Sequence, residues 1–245
     1  MTFSAFVFRN LARQRTRSIL TVIGIGIGIT TVVALGSITA GFKAAASDMA
    51  HLGGADLMVA QKGAADLTFS TLRESDLKLV RRQDGVARAA GVLLHVDRVG
   101  SNPFFIAYGV ERREIPGLAP ALVDGSYPVT DDEIAIGDRA ADDLGGVGSA
   151  TTIGGRRFRV AGVYETAGLY ERSGGYLSLA SVQEITGKQG VLSAIYVSAD
   201  EGVDVGHLAS TLEAASDTFA AIRTADDYGE VDQGLKILDA ANLAI

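Results

Sequence analysis

The longest run of uncharged residues in the chain lies close to its start. Between Arg17 and Lys43, the 25 residues 18–42 contain no charged side chain and are rich in isoleucine, leucine and valine. As an α-helix rising about 1.5 Å per residue they would reach about 37 Å, more than the roughly 30 Å of a bilayer hydrocarbon core. The pattern therefore predicts a transmembrane helix over residues 18–42.

Three glycines at alternate positions distinguish this segment from a buried helix of a soluble domain. Gly24, Gly26 and Gly28 would each cost a water-soluble helix about 1 kcal/mol, whereas glycine is common in spanning helices. Gly24 and Gly28 also form a GxxxG pair, which lets a second spanning helix approach closely. A cleaved signal peptide is the alternative, since residues 44–46 are three alanines, but signal peptides have an apolar core of only about 7–15 residues. We expect a retained anchor with helix-packing residues at Gly24 and Gly28.

The charges before the span predict its orientation. Residues 1–17 contain no acidic residue and four basic ones, which are Arg9, Arg13, Arg15 and Arg17. Because positively charged flanks stay on the cytoplasmic side, the N-terminus should be cytoplasmic and the chain after residue 42 extracytoplasmic, in the plasma or inner membrane. Residues 1–17 also separate apolar and basic side chains around a helix axis, which predicts an amphipathic lead in the headgroup layer. An unstructured basic flank is the alternative.

Beyond the span the pattern changes to short alternating and amphipathic stretches. Good helix formers continue to residue 52 and stop at two glycines, which predicts a helical stalk. Predicted strands cover residues 55–60, 86–99, 104–110, 133–136, 176–179, 194–197 and 219–222, and predicted helices cover 76–80, 139–144, 181–185 and 207–215. Strands alternating with short helices predict an α+β extracytoplasmic domain over residues 43–230, carried on the N-terminal transmembrane helix and its stalk.

A glycine pair gives the sharpest local prediction. Gly154 and Gly155 separate two β-rich stretches, residues 151–153 and 157–160. A two-residue loop between paired strands favours a turn with positive φ at both central positions, which glycine adopts without strain. We therefore predict a β-hairpin with Gly154 and Gly155 as its turn.

Other local signals mark the ends of elements. Ser75 and Asp138 precede two predicted helices and are predicted as N-caps, and residues 101–103 (Ser-Asn-Pro) are predicted as a turn. Residues 231–245 lose the turn signals and become apolar. They predict the start of a returning stalk or second transmembrane helix, with an ordinary terminal helix of the domain as the alternative.

Composition and motifs exclude several classes of function. The chain has a net charge of −7 and its first 17 residues contribute +4, so the remainder carries −11, which argues against nucleic-acid binding. Without cysteine, no disulfide, thiolate nucleophile or cysteine metal site can form. His51, His95 and His207 share no ligand spacing, and HExxH, GxSxG and SxxK patterns are absent. Acidic pairs such as Asp131-Asp132 are predicted as solvated caps, so we predict no catalytic, cofactor or metal residues and no enzyme activity.

Three stretches, in this order along the chain, resemble MacB-type ABC transporter permeases, which are relatives of FtsX and of the lipoprotein-release permeases. The first is NLARQRTRSILTVIGIGIGITTVVALGSITAGF from Asn10, an arginine-rich lead followed by a Leu-Thr-x-x-Gly-Ile-x-Ile-Gly span. The second comprises DEIAIGDRAADDLG and GSATTIGGRRFRVAGVYE, within residues 132–165, and is similar to the helix and GG hairpin of the family's outer domain. The third is GGYLSLASVQEITG, residues 174–187, similar to the strand and helix that follow.

This resemblance implies a non-catalytic permease subunit, or its N-terminal part, that works with a separate ABC ATPase and a second permease copy in a homo- or heterodimer. The family pattern has three further spans after the outer domain, so a chain ending near residue 245 is expected to be a fragment, a truncated product or a piece completed by another chain. A single-span membrane-anchored binding or sensor domain is the alternative from another class, and an anchored hydrolase with an undetected acid pair is a third. No motif indicates the transported substrate.

Overall fold

The computed structural model of the chain describes residues 15–64, 66–224 and 227. The predicted amphipathic lead, with Arg9 and Arg13, and the predicted returning stalk of residues 231–245 lie outside the described residues. Among the described residues, one compact unit ends at Phe42 and a second begins at Lys43.

A single long helix, α1, covers Arg15–Ala50, 36 residues in all. Its segment Arg15–Gly41 contains an 18-residue window with a mean hydropathy of 2.3, and none of that window is buried. These 27 residues would extend about 40 Å, enough to cross a membrane. The helix passes the predicted end of the span without a break and stops at Ala50. A 3₁₀ turn, Leu52–Gly54, follows, and its two glycines have positive φ.

The second unit is built on one large mixed sheet. Its strands are β1 (Leu57–Gln61), β3 (Val86–Val99), β4 (Asn102–Val110), β5 (Leu122–Gly125), β6 (Glu133–Gly137), β7 (Ala150–Ile153), β8 (Arg156–Tyr164), β9 (Gly175–Ser178), β11 (Ala194–Ala199) and β12 (Phe219–Ile222). The order is β12-β1-β11-β3-β4-β9-β6-β8-β5, with β7 also on β8. The β4–β9 and β6–β8 pairs are parallel and the others antiparallel. Two short strands, β2 (Leu72–Arg73) and β10 (Val191–Leu192), form a separate ribbon.

Short helices connect these strands. They are α2 (Glu74–Val80), α3 (Ile115–Leu118), α4 (Asp138–Leu144), α5 (Leu169–Arg172), α6 (Leu179–Thr186) and α7 (Val205–Ala215), with 3₁₀ turns at Leu67–Phe69 and Arg112–Glu114. The predicted α+β fold class is therefore confirmed. The predicted strand over residues 86–99 and the one over 219–222 match β3 and β12.

The two faces of the sheet bury different side chains. One face, under α2, α4, α6 and α7, carries a core of aliphatic residues and phenylalanines. On the strands, residues of this core alternate with buried tyrosines; for example, Ala107 precedes Tyr108 on β4 and Ile195 precedes Tyr196 on β11. Because successive side chains of a strand point to opposite faces, the tyrosines lie on the other face.

Two predicted N-caps and one predicted turn are wrong. The N-cap of α2 is Arg73 rather than Ser75, and the Asp76 carboxylate accepts a hydrogen bond from the Arg73 backbone at 2.8 Å. Gly137 is the N-cap of α4, since Asp138 already lies within the helix and pairs with a distant arginine. Asp76 therefore caps the start of α2 from within the helix, whereas the Asp138 carboxylate binds an arginine of another element.

The hairpin between β3 and β4 turns one residue earlier than predicted. Val99 pairs with Asn102, so the turn consists of Gly100 and Ser101, and Gly100 has a φ of 58°. Pro103 therefore lies within β4. The strand tolerates a residue without an N–H there, because β9 pairs with β4 only from Ala107 onward.

The second hairpin joins β7 to β8. Ile153 is paired with Arg156, which leaves Gly154 and Gly155 as the turn, with φ values of 56° and 81°. The backbone N–H of Gly154 donates to the Asp97 carboxylate at 2.6 Å. The turn is thus held against β3 and also faces α6.

A buried carboxylate organises the loop before β6. Glu133 is 5% exposed and accepts hydrogen bonds from the backbone N–H groups of Val129, at 2.8 Å, and Thr130, at 3.2 Å. It also pairs with Arg159 of β8. The amide of Val129, with help from Thr130 and Arg159, lowers the pKa of Glu133 despite its burial. The native loop is therefore stabilised by the ionised carboxylate of Glu133.

Candidate functional site at the stalk joint

The candidate catalytic groups do not assemble. No cluster of three or more histidine, cysteine or acidic side chains that could hold a metal ion occurs among residues 15–64, 66–224 and 227. Of the histidines, His51 lies at the end of α1, His95 on β3 and His207 in α7. Burial lowers the pKa of His95, and Lys188 adds to this effect while Asp97 opposes it.

The acidic pair Asp131-Asp132 has structural partners. Asp131 pairs with Arg112 at 3.0 Å, and Asp132 pairs with Arg156 at 2.6 Å. Arg156 also bonds Glu184 at 2.5 Å. These carboxylates are engaged in ion pairs between elements, so the predicted solvated caps are instead surface salt bridges.

A buried hydrogen bond and a close backbone contact lie where α1 ends on the outer domain. We call this the stalk joint: residues 45–50 of α1, the turn Leu52–Gly54, and the sheet face and helices on which they pack. Ala45, Met49 and Ala50 are buried although no residue of the apolar 18-residue window before them is, and Leu52 is 1% exposed. The end of the long helix is therefore part of the domain core.

A tyrosine and a glycine fix this end in place. The buried hydroxyl of Tyr196, on β11, donates to the backbone carbonyl of Met49 at 2.9 Å. Gly53 has a φ of 63°, and a Cβ atom there would lie 2.7 Å from the Cα atom of Leu118 in α3. Only glycine allows the turn to pass so close to another backbone.

Three more buried tyrosines form a cluster on the same sheet face. The rings of Tyr108 and Tyr176 stack at 4.9 Å, and Tyr164 meets Tyr176 edge-on at 5.6 Å. Burial raises the pKa of all three phenols, and Tyr196 adds to the effect at Tyr108. The cluster therefore stays neutral, and it lies near Tyr196, the tyrosine that bonds to the end of α1.

Glu171 of α5 lies at the edge of this cluster. Its Oε1 accepts a hydrogen bond from the Tyr176 hydroxyl at 2.6 Å, and its Oε2 accepts one from Thr166 at 3.1 Å. The Tyr164 hydroxyl donates to its backbone carbonyl at 2.8 Å. Burial raises the pKa of the Glu171 carboxyl, the Asp48 carboxylate of α1 raises it further, and the two hydroxyl donors oppose the shift.

An ion pair fixes α5 itself. Arg172 binds the Asp138 carboxylate of α4 through Nε at 3.1 Å and through Nη2 at 2.5 Å. This bond lowers the pKa of Asp138. A side chain at Gly137 would collide with the backbone carbonyl of Arg172, so β6 and α5 are in direct contact. The backbone of α5 is thus held by α4 and β6, while Tyr176 and Tyr164 bond to the side chain and the backbone of Glu171.

The residues singled out from sequence lie elsewhere. Gly24 and Gly28 are on the exposed part of α1, with no atom within 4 Å of their Cβ positions among the described residues, and Arg15 and Arg17 are in its first turn. The Gly154–Gly155 turn faces Ile185 of α6. None of them belongs to the stalk joint. The sequence analysis did not predict the tyrosines of the joint or Glu171. The available signal for the tyrosines was that several strands have a tyrosine next to an aliphatic residue.

The chain has an apolar helix long enough to cross a membrane, and a stalk continues this helix into a mixed α/β domain. These features define a class of protein in which a domain is carried outside the membrane on its own N-terminal helix. Residues 18–215 match the MacB-like periplasmic core domain. The chain therefore belongs to this family, the extracytoplasmic domain of MacB-like ABC transporter permeases, and the resemblance seen in the sequence is confirmed.

Two solved structures share this fold. The periplasmic region of MacB from Actinobacillus actinomycetemcomitans is 16% identical with a TM-score of 0.53, over 72% of this chain and 91% of that one. The extracellular domain of the noncanonic ABC-type transporter YknZ from Gram-positive bacteria is 16% identical with a TM-score of 0.51, over 66% of this chain and 95% of that one. No curated protein matches the chain in sequence.

Proposed function

We propose that the chain provides the first span, the stalk and the outer domain of an ABC transporter permease, and that its stalk joint passes movement of the span to the outer domain. A separate ATPase drives the movement, and a second permease copy supplies the opposing stalk. The chain itself catalyses no reaction in this scheme. The N-terminus is cytoplasmic and the outer domain extracytoplasmic.

One observation carries this proposal. Helix α1 runs unbroken over Arg15–Ala50, and its last residues are core residues of the outer domain. If α1 were only a flexible tether, its end would not need to be buried. It would also not need the hydrogen bond from a tyrosine to Met49 or the close contact of a glycine turn with Leu118. A helix whose hydrogen bonds continue into a packed joint can transmit displacement, since packed interiors have few voids and low compressibility.

A second part of the proposal concerns the association of spanning helices within the membrane. Gly24 and Gly28 present a smooth patch one helical turn apart, and small residues allow close contact between spanning helices, where little hydrophobic drive exists. We infer that this patch contacts another permease span, whether of an identical or a different chain.

The test uses the absence of cysteine in the chain, so that single labels can be introduced freely. The chain is reconstituted in liposomes with a separate ABC ATPase, and spin labels are placed at Gly41, near the span, or at the exposed Asp217 of the outer domain. Distances between copies are measured with and without trapped ATP. Both labels should move.

A Gly-Ser-Gly insertion between Ala44 and Ala45 interrupts the stalk just before its buried end. It should preserve the ATP-dependent change at Gly41 and abolish the change at Asp217. The matched control is the same insertion before Gly202, in an exposed turn where nothing lies near the glycine. An outer-domain label that moves equally in both insertion variants would contradict transmission through the stalk.

Failure of the chain to associate with any ATPase would favour the single-span anchored binding or sensor domain.

A further inference from the structure

Strand β12 forms one end of the large sheet, and among the described strands it pairs only with β1. Residues 218–222, which are this strand and the residue before it, carry no charged side chain. The outer side of such a strand presents a row of backbone N–H and C=O groups without a strand partner, and this row is a template for pairing with another chain. The partners of these groups therefore decide whether the edge is open.

One hydrogen bond identifies the residues that face away from β1. The Thr218 carbonyl accepts from the backbone N–H of Lys62 at 2.8 Å, so the backbone groups of Thr218 face β1. Because the backbone groups of successive residues in a strand point to alternate sides, the N–H groups of Phe219, Ala221 and Arg223 point outward. These three residues supply the outward N–H donors of the edge.

All three outward donors are already bonded within the chain. The Phe219 N–H donates to the carbonyl of the residue three positions earlier, at 3.0 Å. The Ala221 N–H donates to Oε1 of Glu213 at 3.0 Å, and the Arg223 N–H donates to Oδ2 of Asp227 at 3.0 Å. A strand that paired with this edge would have to displace these acceptors, two of which are side-chain carboxylates.

The position of Glu213 is not explained by its own helix. Glu213 lies in the last turn of α7, which ends at Ala215. A negative charge is unfavourable there, because the unpaired carbonyls of a helix give its C-terminus a partial negative charge. Its carboxylate instead reaches the Ala221 N–H on the neighbouring strand. The side chain therefore serves the sheet edge rather than α7.

We propose that β12 is a self-pairing edge of the outer domain and that Glu213 and Asp227 keep it closed to a second copy of the chain, as an autoinhibitory contact. Antiparallel pairing of β12 with its own copy would form a two-fold symmetric contact, the commonest arrangement of identical chains. The choice of a second copy as the partner rests on the proposed function, which places two copies in one membrane and so gives each edge a high effective concentration of the other. The closed edge keeps the two outer domains separable, so that their movement stays reversible.

The expected effect of opening the edge follows from the number of hydrogen bonds displaced. A two-fold pair that uses the Ala221 N–H displaces the Glu213 carboxylate in both copies. A hydrogen bond within a protein changes an equilibrium constant by about fivefold, so removing this carboxylate should raise pairing by about 25-fold. Glu213→Gln keeps an oxygen that can accept the same N–H and should raise pairing less than Glu213→Ala.

The experiment is chemical crosslinking of the full chain in liposomes, without an ATPase, through one cysteine introduced at Ala220. The chain has no cysteine of its own. Pairing along β12 brings the two copies of position 220 within about 8 Å, the separation of direct and diagonal cross-strand neighbours, so a bismaleimide of that reach reports it. At a chain density where the dimer is the minor species, Glu213→Ala should increase the crosslinked dimer by about 25-fold. Glu165→Ala, which removes an exposed carboxylate elsewhere in the outer domain, is the matched control and should cause no increase.

A second substitution identifies the group that pairs. Ala221→Pro removes the outward N–H but no hydrogen bond to β1, since proline is tolerated on an edge strand where its missing N–H faces outward. Added to Glu213→Ala, it should return crosslinking to the level of the control. If the proline variant does not fold, hydrogen exchange of the Ala221 amide in Glu213→Ala replaces it. That amide should exchange rapidly in nanodiscs that hold one copy and be protected in liposomes at high chain density.

Equal crosslinking in Glu213→Ala and Glu165→Ala would overturn the proposal. Crosslinking of Glu213→Ala that persists undiminished with Ala221→Pro, or an Ala221 amide that exchanges equally at both chain densities, would overturn it as well. None of these measurements requires an ATPase, so their failure leaves transmission through the stalk standing. Conversely, loss of the ATP-driven movement in the insertion test would leave the increased crosslinking of Glu213→Ala unaffected.

Discussion

The Gly154–Gly155 turn offers a comparison of two neighbouring glycines with the same backbone requirement and different surroundings. Both have positive φ, 56° and 81°, so alanine at either position costs about 1–2 kcal/mol of backbone strain. At Gly155 nothing lies within 4 Å of the new Cβ. At Gly154 the Cβ overlaps Cγ2 of Ile185 and lies 3.0 Å from its Cβ.

The difference between the two variants can be worked out from these contacts. Forcing an extra methyl group into a packed contact costs about 1–3 kcal/mol. Gly154→Ala should therefore lose about 2–5 kcal/mol in total, whereas Gly155→Ala should lose only the strain of about 1–2 kcal/mol. For a domain of this size each kcal/mol corresponds to about 2–4 °C in Tm.

The assay is thermal unfolding of the chain in nanodiscs, followed by the fluorescence of its seven tyrosines, since it has no tryptophan. Gly154→Ala should melt below Gly155→Ala. Adding Ile185→Ala to each should rescue part of the loss only in the Gly154→Ala background, because it removes the overlapping atom. Equal melting temperatures for the two single variants, or no coupling with Ile185, would refute the packing assigned to this turn.

Three further predictions concern a buried carboxylate, the span and the topology. Glu133→Gln should lower the free energy of unfolding by about 1–3 kcal/mol at neutral pH in urea titrations, because the Val129 amide loses a charged acceptor. Since the pKa of Glu133 is lowered by folding, the loss should be full above the ordinary glutamate pKa and fade as the pH falls through the lowered value; a loss independent of pH would contradict this. Replacing Gly24 and Gly28 together with isoleucine should preserve membrane insertion but weaken crosslinking through cysteines placed at Ile25, whereas undiminished crosslinking would mean that both glycines face lipid. Protease added outside intact cells should digest the outer domain, and protection of that domain with an accessible N-terminus would refute the predicted orientation.

The elements that were predicted well are those encoded by neighbouring residues. The uncharged run before Lys43 and the alternation over residues 86–99 are patterns among residues close together in the sequence. They can therefore be recognised without knowing the fold. The predicted N-cap at Asp138 failed for the opposite reason, because that carboxylate pairs with Arg172 of a neighbouring element. At Ser75 the reason was local: α2 already begins at Glu74, and Asp76 accepts the hydrogen bond of the Arg73 N–H.

By itself, the sequence determined that this protein has a long apolar helix continued by a stalk, an α+β domain after it and the family to which it belongs. The tertiary structure alone decided which sheet face receives the end of α1 and that four separate strands bring tyrosines to that face. It also decided that the Tyr196 hydroxyl meets the backbone carbonyl of Met49, 147 positions away along the chain. The physical reason is that the parallel pairs β4–β9 and β6–β8 join segments that are apart in the sequence. Such pairings depend on the arrangement of the whole sheet rather than on any local pattern.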